Sequence, residues 1–235
     1  MITQTVWLAR PRHGNALDPL SISNLLVDLE SAEMNPNCVA LVIRAAGPAF
    51  CAGADVKACG ELMENPASLL GFFDSARRLM RMLVETRLIT IAAVQGLAVA
   101  GGLELVCACD IVLATTEAHF SDRHVRNGFL PAFGATSLLP RRIGQRRAQL
   151  MLLGGGSLDF ESAQRVGLVT ATSKPEEFDS LISSITSKIE QHTPSAISDL
   201  KGLINRLSEI NFSHERSAVA DYLHAGGYRI SNFSS

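Results

Sequence analysis

A glycine pair opening a helix, with a carboxylate inside the first turn, constrains this chain more than any other feature. It lies in Gln95-Gly96-Leu97-Ala98-Val99-Ala100-Gly101-Gly102-Leu103-Glu104, directly after the short, β-branched run Ile89–Val94. Paired glycines let a backbone come close to a ligand, and a helix start leaves N–H groups free to meet negative charge. Donors for a developing oxyanion with an acid/base beside them outline acyl-thioester chemistry. The competing reading is a glycine turn before a core helix that carries a glutamate with no chemical task.

The rest of the chain has the period of an α/β protein. Thr5–Leu8 reads as an opening strand, Ser21–Glu30 as a helix and Val39–Ala45 as a buried strand. Residues 58–67 have weak helical content and a proline interruption, and from Ser68 a helix is clear. Leu69, Phe73, Ala76, Met80 and Leu83 share one face of it, and Asp74, Arg77, Arg78, Arg81 and Glu85 are assigned to the other. Ile111–Ala114 and Ala118–Ser121 read as short strands. Strand, helix and strand in alternation predict βαβ units around a mostly parallel sheet, with ligand groups gathered at the carboxyl ends of the strands. After Pro175 strands give way to helices. One stripe is Phe178, Leu181, Ile182, Ile185 and Ile189; another is Ile197, Leu200, Leu203, Ile204, Leu207 and Ile210. Three terminal helices are too few to hide both apolar faces alone.

Charge and cysteine usage exclude several classes. A net charge of −2 gives no global basic field for nucleic acid or an anionic membrane. Two local basic clusters, Arg77-Arg78 with Arg81 and Arg141-Arg142 with Arg146-Arg147, suit either a solvated helix face or the phosphates of a nucleotide-bearing substrate. No apolar run reaches the ~18 residues of a membrane span, and residues 1–9 have no signal-peptide character, so the cytoplasm is the expected location. Cys38, Cys51, Cys59, Cys107 and Cys109 form no C-x-x-C pair and have no histidine spaced for zinc; they read as reduced, structural thiols, and no metal site is expected. No dinucleotide fingerprint, phosphate-binding loop, nucleophile elbow or H-E-x-x-H helix is present, which disfavours nicotinamide enzymes, kinases, serine hydrolases and zinc proteases.

Five stretches in a fixed order add a resemblance. They are Arg10-Pro11…Asn15-Ala16-Leu17, Ala49-Phe50-Cys51-Ala52-Gly53-Ala54-Asp55-Val56-Lys57, the glycine-pair segment, Cys109-Asp110-Ile111 and Leu130-Pro131-Ala132-Phe133-Gly134-Ala135-Thr136. Together they resemble the crotonase (enoyl-CoA hydratase/isomerase) family from residue 10 to about residue 170. The resemblance implies a stacked ββα superhelix over residues 1–175. It also implies a C-terminal helical trimerisation region, residues 176–235, packed against neighbouring subunits in a homotrimer or hexamer.

By the same resemblance the backbone N–H groups of Ala54 and Gly101 form an oxyanion hole, and Glu104 matches the first of two hydratase glutamates. Ala52, Ala54, Asp55, Val56, Lys57 and Gly101 are the implied substrate-binding residues, running along a pantetheine arm, with Lys57 either reaching a phosphate or solvated. Coenzyme A or phosphopantetheine then belongs to the substrate, and no cofactor is implied. The chain departs from the family at three places. His124 stands where the second glutamate belongs, Ala132 replaces the glycine after Pro131, and the first strand lacks residues, so a sheet edge is expected to be short or the start trimmed. His124 either shares the proton work, with Asp122 orienting it or entering the site itself, or is a polar loop residue beside a single base. The activity implied is that of a lyase or isomerase on an acyl thioester, an enoyl-CoA hydratase or the reverse dehydratase in fatty acid metabolism. Two alternatives stay open: a polyketide β-branching dehydratase or decarboxylase acting on a carrier-protein thioester, and a non-catalytic acyl-CoA binding protein.

Overall fold

The computed structural model describes residues 1–206 and 213–225. Its strands are β1 (Ile2–Leu8), β2 (Cys38–Ala45), β3 (Ile89–Val94), β4 (Leu97–Val99), β5 (Ile111–Thr115), β6 (His119–Ser121), β7 (Ser157–Asp159) and β8 (Ala171–Ser173). The helices are α1 (Pro19–Met34), α2 (Val56–Leu62), α3 (Pro66–Glu85), α4 (Gly101–Ala108), α5 (Ala135–Ile143), α6 (Gln145–Gly154), α7 (Phe160–Arg165), α8 (Phe178–Ile189), α9 (Pro194–Arg206) and α10 (Ser213–His224). A five-stranded, all-parallel sheet runs in the order β1-β2-β3-β5-β8, and a smaller sheet runs β4-β6-β7. Successive passages of chain send one strand to each sheet and then a helix, as in β3-β4-α4, which is the stacked ββα arrangement.

Two expectations about strands change. The opening strand is not short at the edge: β1 pairs with β2 along its whole length, from Ile2 opposite Cys38 to Leu8 opposite Ala45. Leu97–Val99, read as part of the glycine turn, is a strand, β4, paired in parallel with His119–Ser121. It is three residues long, too short for a period-two pattern to stand out.

Helix boundaries follow from side chains that satisfy unpaired N–H groups. Asp18 accepts from Ser21 N at 2.7 Å with Pro19 in the first turn, so α1 begins before the apolar period does. Asn65 caps Ala67 N at 3.0 Å, and Pro66 therefore opens α3 rather than interrupting it. The segment before it, the least determined in the sequence, holds α2, capped by Asp55 through Lys57 N and Ala58 N. On α3 the stripe Leu69, Phe73, Ala76, Met80 and Leu83 is buried as expected. Arg77, assigned to the solvated face, is instead 3% exposed.

The large sheet is covered on both faces. One face packs on α1, α3 and α4; the other carries Val39, Val42, Ile91, Ala93 and Leu113 against α8 and α9. This corrects the expectation for the first terminal stripe. Phe178, Ile182 and Ile189 are buried on the chain's own sheet, with Leu181 and Ile185 partly buried beside them. On the second stripe Ile197 is buried whereas Leu200, Leu203 and Ile204 are exposed; Leu207 and Ile210 lie outside the described residues. The motif Cys109-Asp110-Ile111 serves this packing. Asp110 Oδ2 accepts from Thr90 N at 2.8 Å and from the buried Lys201 Nζ at 2.7 Å, while Lys201 also donates to Leu83 O and Leu88 O. Of the second basic cluster, Arg142 is engaged, donating to Cys107 O and Cys109 O at the end of α4. All five cysteines are buried and unpaired by disulfides, and burial raises the thiols of Cys51, Cys59, Cys107 and Cys109 to about 12.

Candidate active site

Two backbone segments meet at the carboxyl end of β4, where Cys51 bridges Ala98. The first, residues 51–57, is pinned at both ends. Leu17 N donates to Gly53 O and Asp55 N to Leu17 O, so Ala54 sits between two bonds that leave its own N–H unused. Asp55 is held in turn by Arg10 Nη2 at 2.8 Å, and Asn15 ties the preceding loop to Ala46 O and Ala49 O. That accounts for the early motif: its polar residues brace the segment that carries Ala54.

The second segment is the start of α4. Ala100 has a φ of 48°, a left-handed conformation that is strained for alanine and turns the chain from β4 into the helix. A side-chain carbon on Gly101 would lie 3.2 Å from Ala54 N and 2.7 Å from the Phe133 ring, so only a residue without one lets the two backbones meet. Among the described residues neither the Ala54 nor the Gly101 N–H has a protein acceptor. The two positions named from the sequence thus present two neighbouring N–H groups without a protein acceptor.

Glu104 lies one turn into α4 and is 1% exposed. Its Oε1 accepts from Phe133 N and Ala135 N, each at 2.9 Å, and its Oε2 has no hydrogen-bond partner. Across a 3.6 Å gap Oε2 faces Nε2 of His124. The Nδ1 of His124 is 2.7 Å from Asp122 Oδ2, and the His124 N–H donates to Asp122 Oδ1 at 3.1 Å. Asp122, fully buried, therefore acts on the ring from behind and directs Nε2 at Glu104; it does not enter the cavity itself.

Burial raises the Glu104 pKa, against the opposing pull of His124 and the two N–H donors. Burial works the other way on His124, yet its pKa is raised, because the Asp122 hydrogen bond and the Glu104 charge favour imidazolium. Both shifts point toward the protonated form, and two groups this close titrate as a pair.

Ala52, Ala54, Val56, Gly101, Glu104 and His124 all line one cavity of about 190 Å³, walled by Phe73, Leu130 and Phe133. Phe133 packs edge-on against Phe72, with ring centroids 5.8 Å apart. Asp55 and Lys57 stand outside the cavity: Asp55 caps α2 and binds Arg10, and Lys57 is exposed. Ala132, where the family has glycine, is accommodated, its carbonyl accepting from Arg77 Nη1 at 2.7 Å.

Sequence reasoning missed two charged residues here. Arg77 holds the carbonyl of the same peptide unit whose N–H, on Phe133, binds Glu104. A signal existed: residue 77 is four after Phe73 and three before Met80, inside the apolar stripe. Glu215, on α10, is 6% exposed and accepts from Thr136 N at 3.0 Å and from Thr136 Oγ1. Nothing in its local sequence marked it.

The family model for enoyl-CoA hydratase/isomerase matches residues 3–226. A probable enoyl-CoA hydratase of Mycobacterium bovis is 31% identical over 208 residues, covering 88% of this chain and 79% of that protein. A short-chain-enoyl-CoA hydratase of Clostridium acetobutylicum is 30% identical over 202 residues, 86% of this chain and 77% of that one. Among solved structures, the enoyl-CoA hydratase of Bacillus anthracis superposes with a TM-score of 0.84 at 26% identity, over 95% of this chain and 86% of that chain. A family model spanning nearly the whole chain, relatives at 30% identity and above, and a shared fold agree: the chain belongs to the enoyl-CoA hydratase/isomerase (crotonase) family.

Proposed function

We propose that this protein is an enzyme acting on an acyl-CoA thioester, hydrating an α,β-double bond or running that reaction backwards. One observation carries the reading: a carboxylate oxygen without a partner faces an imidazole nitrogen across 3.6 Å, beside a cavity lined by Ala54 and Gly101. As water adds, its oxygen bonds to the β-carbon, one of its protons passes to the pair, and the thioester becomes enolate-like. The N–H groups of Ala54 and Gly101 hold that charge; in a dry site each such donor is worth about 2.7–4 kcal/mol. A proton delivered from the Glu104–His124 pair to the α-carbon completes the addition. Both shifted groups serve this, because a base and an acid are needed at one place near neutral pH.

The coenzyme moiety arrives with the substrate, so no resident cofactor is required. A second reading, isomerisation or decarboxylation through Glu104 alone, has one observation in its favour: an imidazole stands where hydratases carry a second carboxylate. A carrier-protein thioester in place of coenzyme A, and thioester binding without turnover, are the remaining alternatives. We further propose that the chain assembles as a trimer or hexamer, through surfaces that include exposed Leu200, Leu203 and Ile204 on α9. Incubation with crotonyl-CoA, following loss of the enoyl-thioester absorbance, tests the main reading. Hydration supports it. Tight binding without turnover sinks it in favour of a binding protein, and turnover only of the carrier-protein thioester moves the substrate class.

A further inference from the structure

The N-terminus of α5 is gripped by two buried carboxylates from distant parts of the chain. Glu104, on α4, takes the N–H groups of Phe133 and Ala135; Glu215, on α10, takes the N–H and hydroxyl of the next residue, Thr136. Three further contacts fix α10 in this place. Arg216 binds Asp74 on α3 through Nε and Nη2, Tyr222 donates to Gly128 O in the loop that follows His124, and Val219 is fully buried. Glu215 Oε1 is buried and without a hydrogen-bond partner. A carboxylate that needed only to cap a helix would not have to sit so deep beside another.

We propose that Glu215 is a positioning residue of the site: it holds the α5 terminus on which Glu104 is anchored, and its charge governs where the Glu104–His124 pair takes up its proton. The inference rests on the reading of Glu104 and His124 as the proton-transfer pair. Glu215 bonds Thr136 on α5, and its charge interacts with those of Glu104 from α4, His124 from the loop after β6 and Arg77 from α3. Burial first, and then the Glu104 charge, push its pKa up to about 7, against the Thr136 bonds and Arg77. Once Glu215 loses its proton, its charge adds to those of Glu104 and Asp122 in favouring imidazolium at His124. A negative charge at Glu215 favours protonation of its neighbours, so removing it lowers the pKa of the pair.

The test is Glu215→Gln in the full chain, with Glu215→Asp beside it. Glutamine keeps the shape and an acceptor for Thr136 and removes the charge; aspartate keeps the charge. The His124 ring is titrated by NMR, and crotonyl-CoA turnover is followed against pH. In Glu215→Gln the His124 titration is expected to move to lower pH by roughly half a unit or more, and the acid limb of turnover to move with it. Aspartate is expected to restore most of both. A His124 titration unmoved in folded Glu215→Gln protein overturns the inference and leaves the functional reading intact. A titration that moves while no thioester is turned over supports the charge coupling and sinks the functional reading instead. Should glutamine prevent folding, Glu215→Asp decides: a His124 titration displaced as far as in protein unfolded by denaturant leaves no role for the charge and overturns the inference.

Discussion

The two halves of the site are built by different means. The donor half consists of backbone: Ala54 and Gly101, adjacent because Gly53, Gly101 and Gly102 carry no side chain, and held by bonds from Leu17, Arg10 and Asn15, the two polar side chains reaching partners 31 to 45 positions away. The proton half consists of side chains from separate elements: Glu104 on α4, Asp122 and His124 after β6, Arg77 on α3 and Glu215 on α10. On the proposed reading, the difference teaches that negative charge and protons are handled at different levels of structure. A hydrogen-bond donor is a property of the peptide unit and needs only position. A proton's location depends on the burial and field of every group around it, so no single element of this half carries its own chemistry.

Removing each half in turn sharpens that contrast. Glu104→Gln keeps the contacts of Oε1 in part and abolishes the base, and turnover is expected to fall about 10²- to 10⁴-fold while thioester binding persists. Equal kcat values for variant and wild type would take Glu104 out of the chemistry. Gly102→Ala attacks the donor half without touching a titratable group. Its new carbon would lie 2.3 Å from Cys51 O, a backbone atom, so the segment that carries Ala54 must move away from α4. The expected loss in kcat is about 10²- to 10³-fold, the scale of one misplaced oxyanion donor, with no movement of the pH optimum. A shifted optimum would show that the halves are not separable.

Asp122→Asn addresses the proton half more gently. The Asp122 carboxylate raises the His124 pKa by its hydrogen bond and its charge, so the amide lowers it. The limb of the pH–rate profile that reports His124 is expected to move to lower pH by roughly one unit. If the profile of Asp122→Asn overlays that of the wild type, His124 is a bystander and Glu104 works alone. The smallest effect belongs to a pair in neither half. Arg78 and Glu30 meet at 2.8 Å with side chains 63% and 46% exposed, and Arg78→Ala is expected to change stability by less than about 1 kcal/mol and turnover not at all. Thermal unfolding and the crotonyl-CoA assay check it together.

Much of this fold was legible because its signals are local. The stripe from Leu69 to Leu83 and the β-branched runs at 39–45 and 89–94 each act within a helix or a strand of their own, whereas the caps Asp18 and Asn65 went unread and both helices begin before the residues expected. The glycine pair was legible for the same reason, since close backbone approach excludes a side chain wherever it occurs. Legibility failed where a residue's surroundings come from far away. Arg77 was placed in solvent because charge normally marks an exposed face; its desolvation is offset by Asp74 and by a carbonyl 55 residues along the chain. The stripe on α8 was expected at contacts between subunits, and its cover proved to be β2, β3 and β5, to which nothing in the helix itself points.

By itself, then, the sequence determined the α/β alternation, the small residues where the two backbones meet, and Glu104 and His124 as candidates for the site. These follow from steric exclusion and from patterns among near neighbours. Tertiary structure alone decided that Asp122 stands behind His124 rather than in the cavity and that Arg77 is interior. It also decided that Glu215 reaches the helix end on which Glu104 rests, and in which direction burial and charge shift the groups around it. The physical reason is common to all four. Burial and electric field are sums over neighbours in space, and those neighbours are brought together only when the chain has folded.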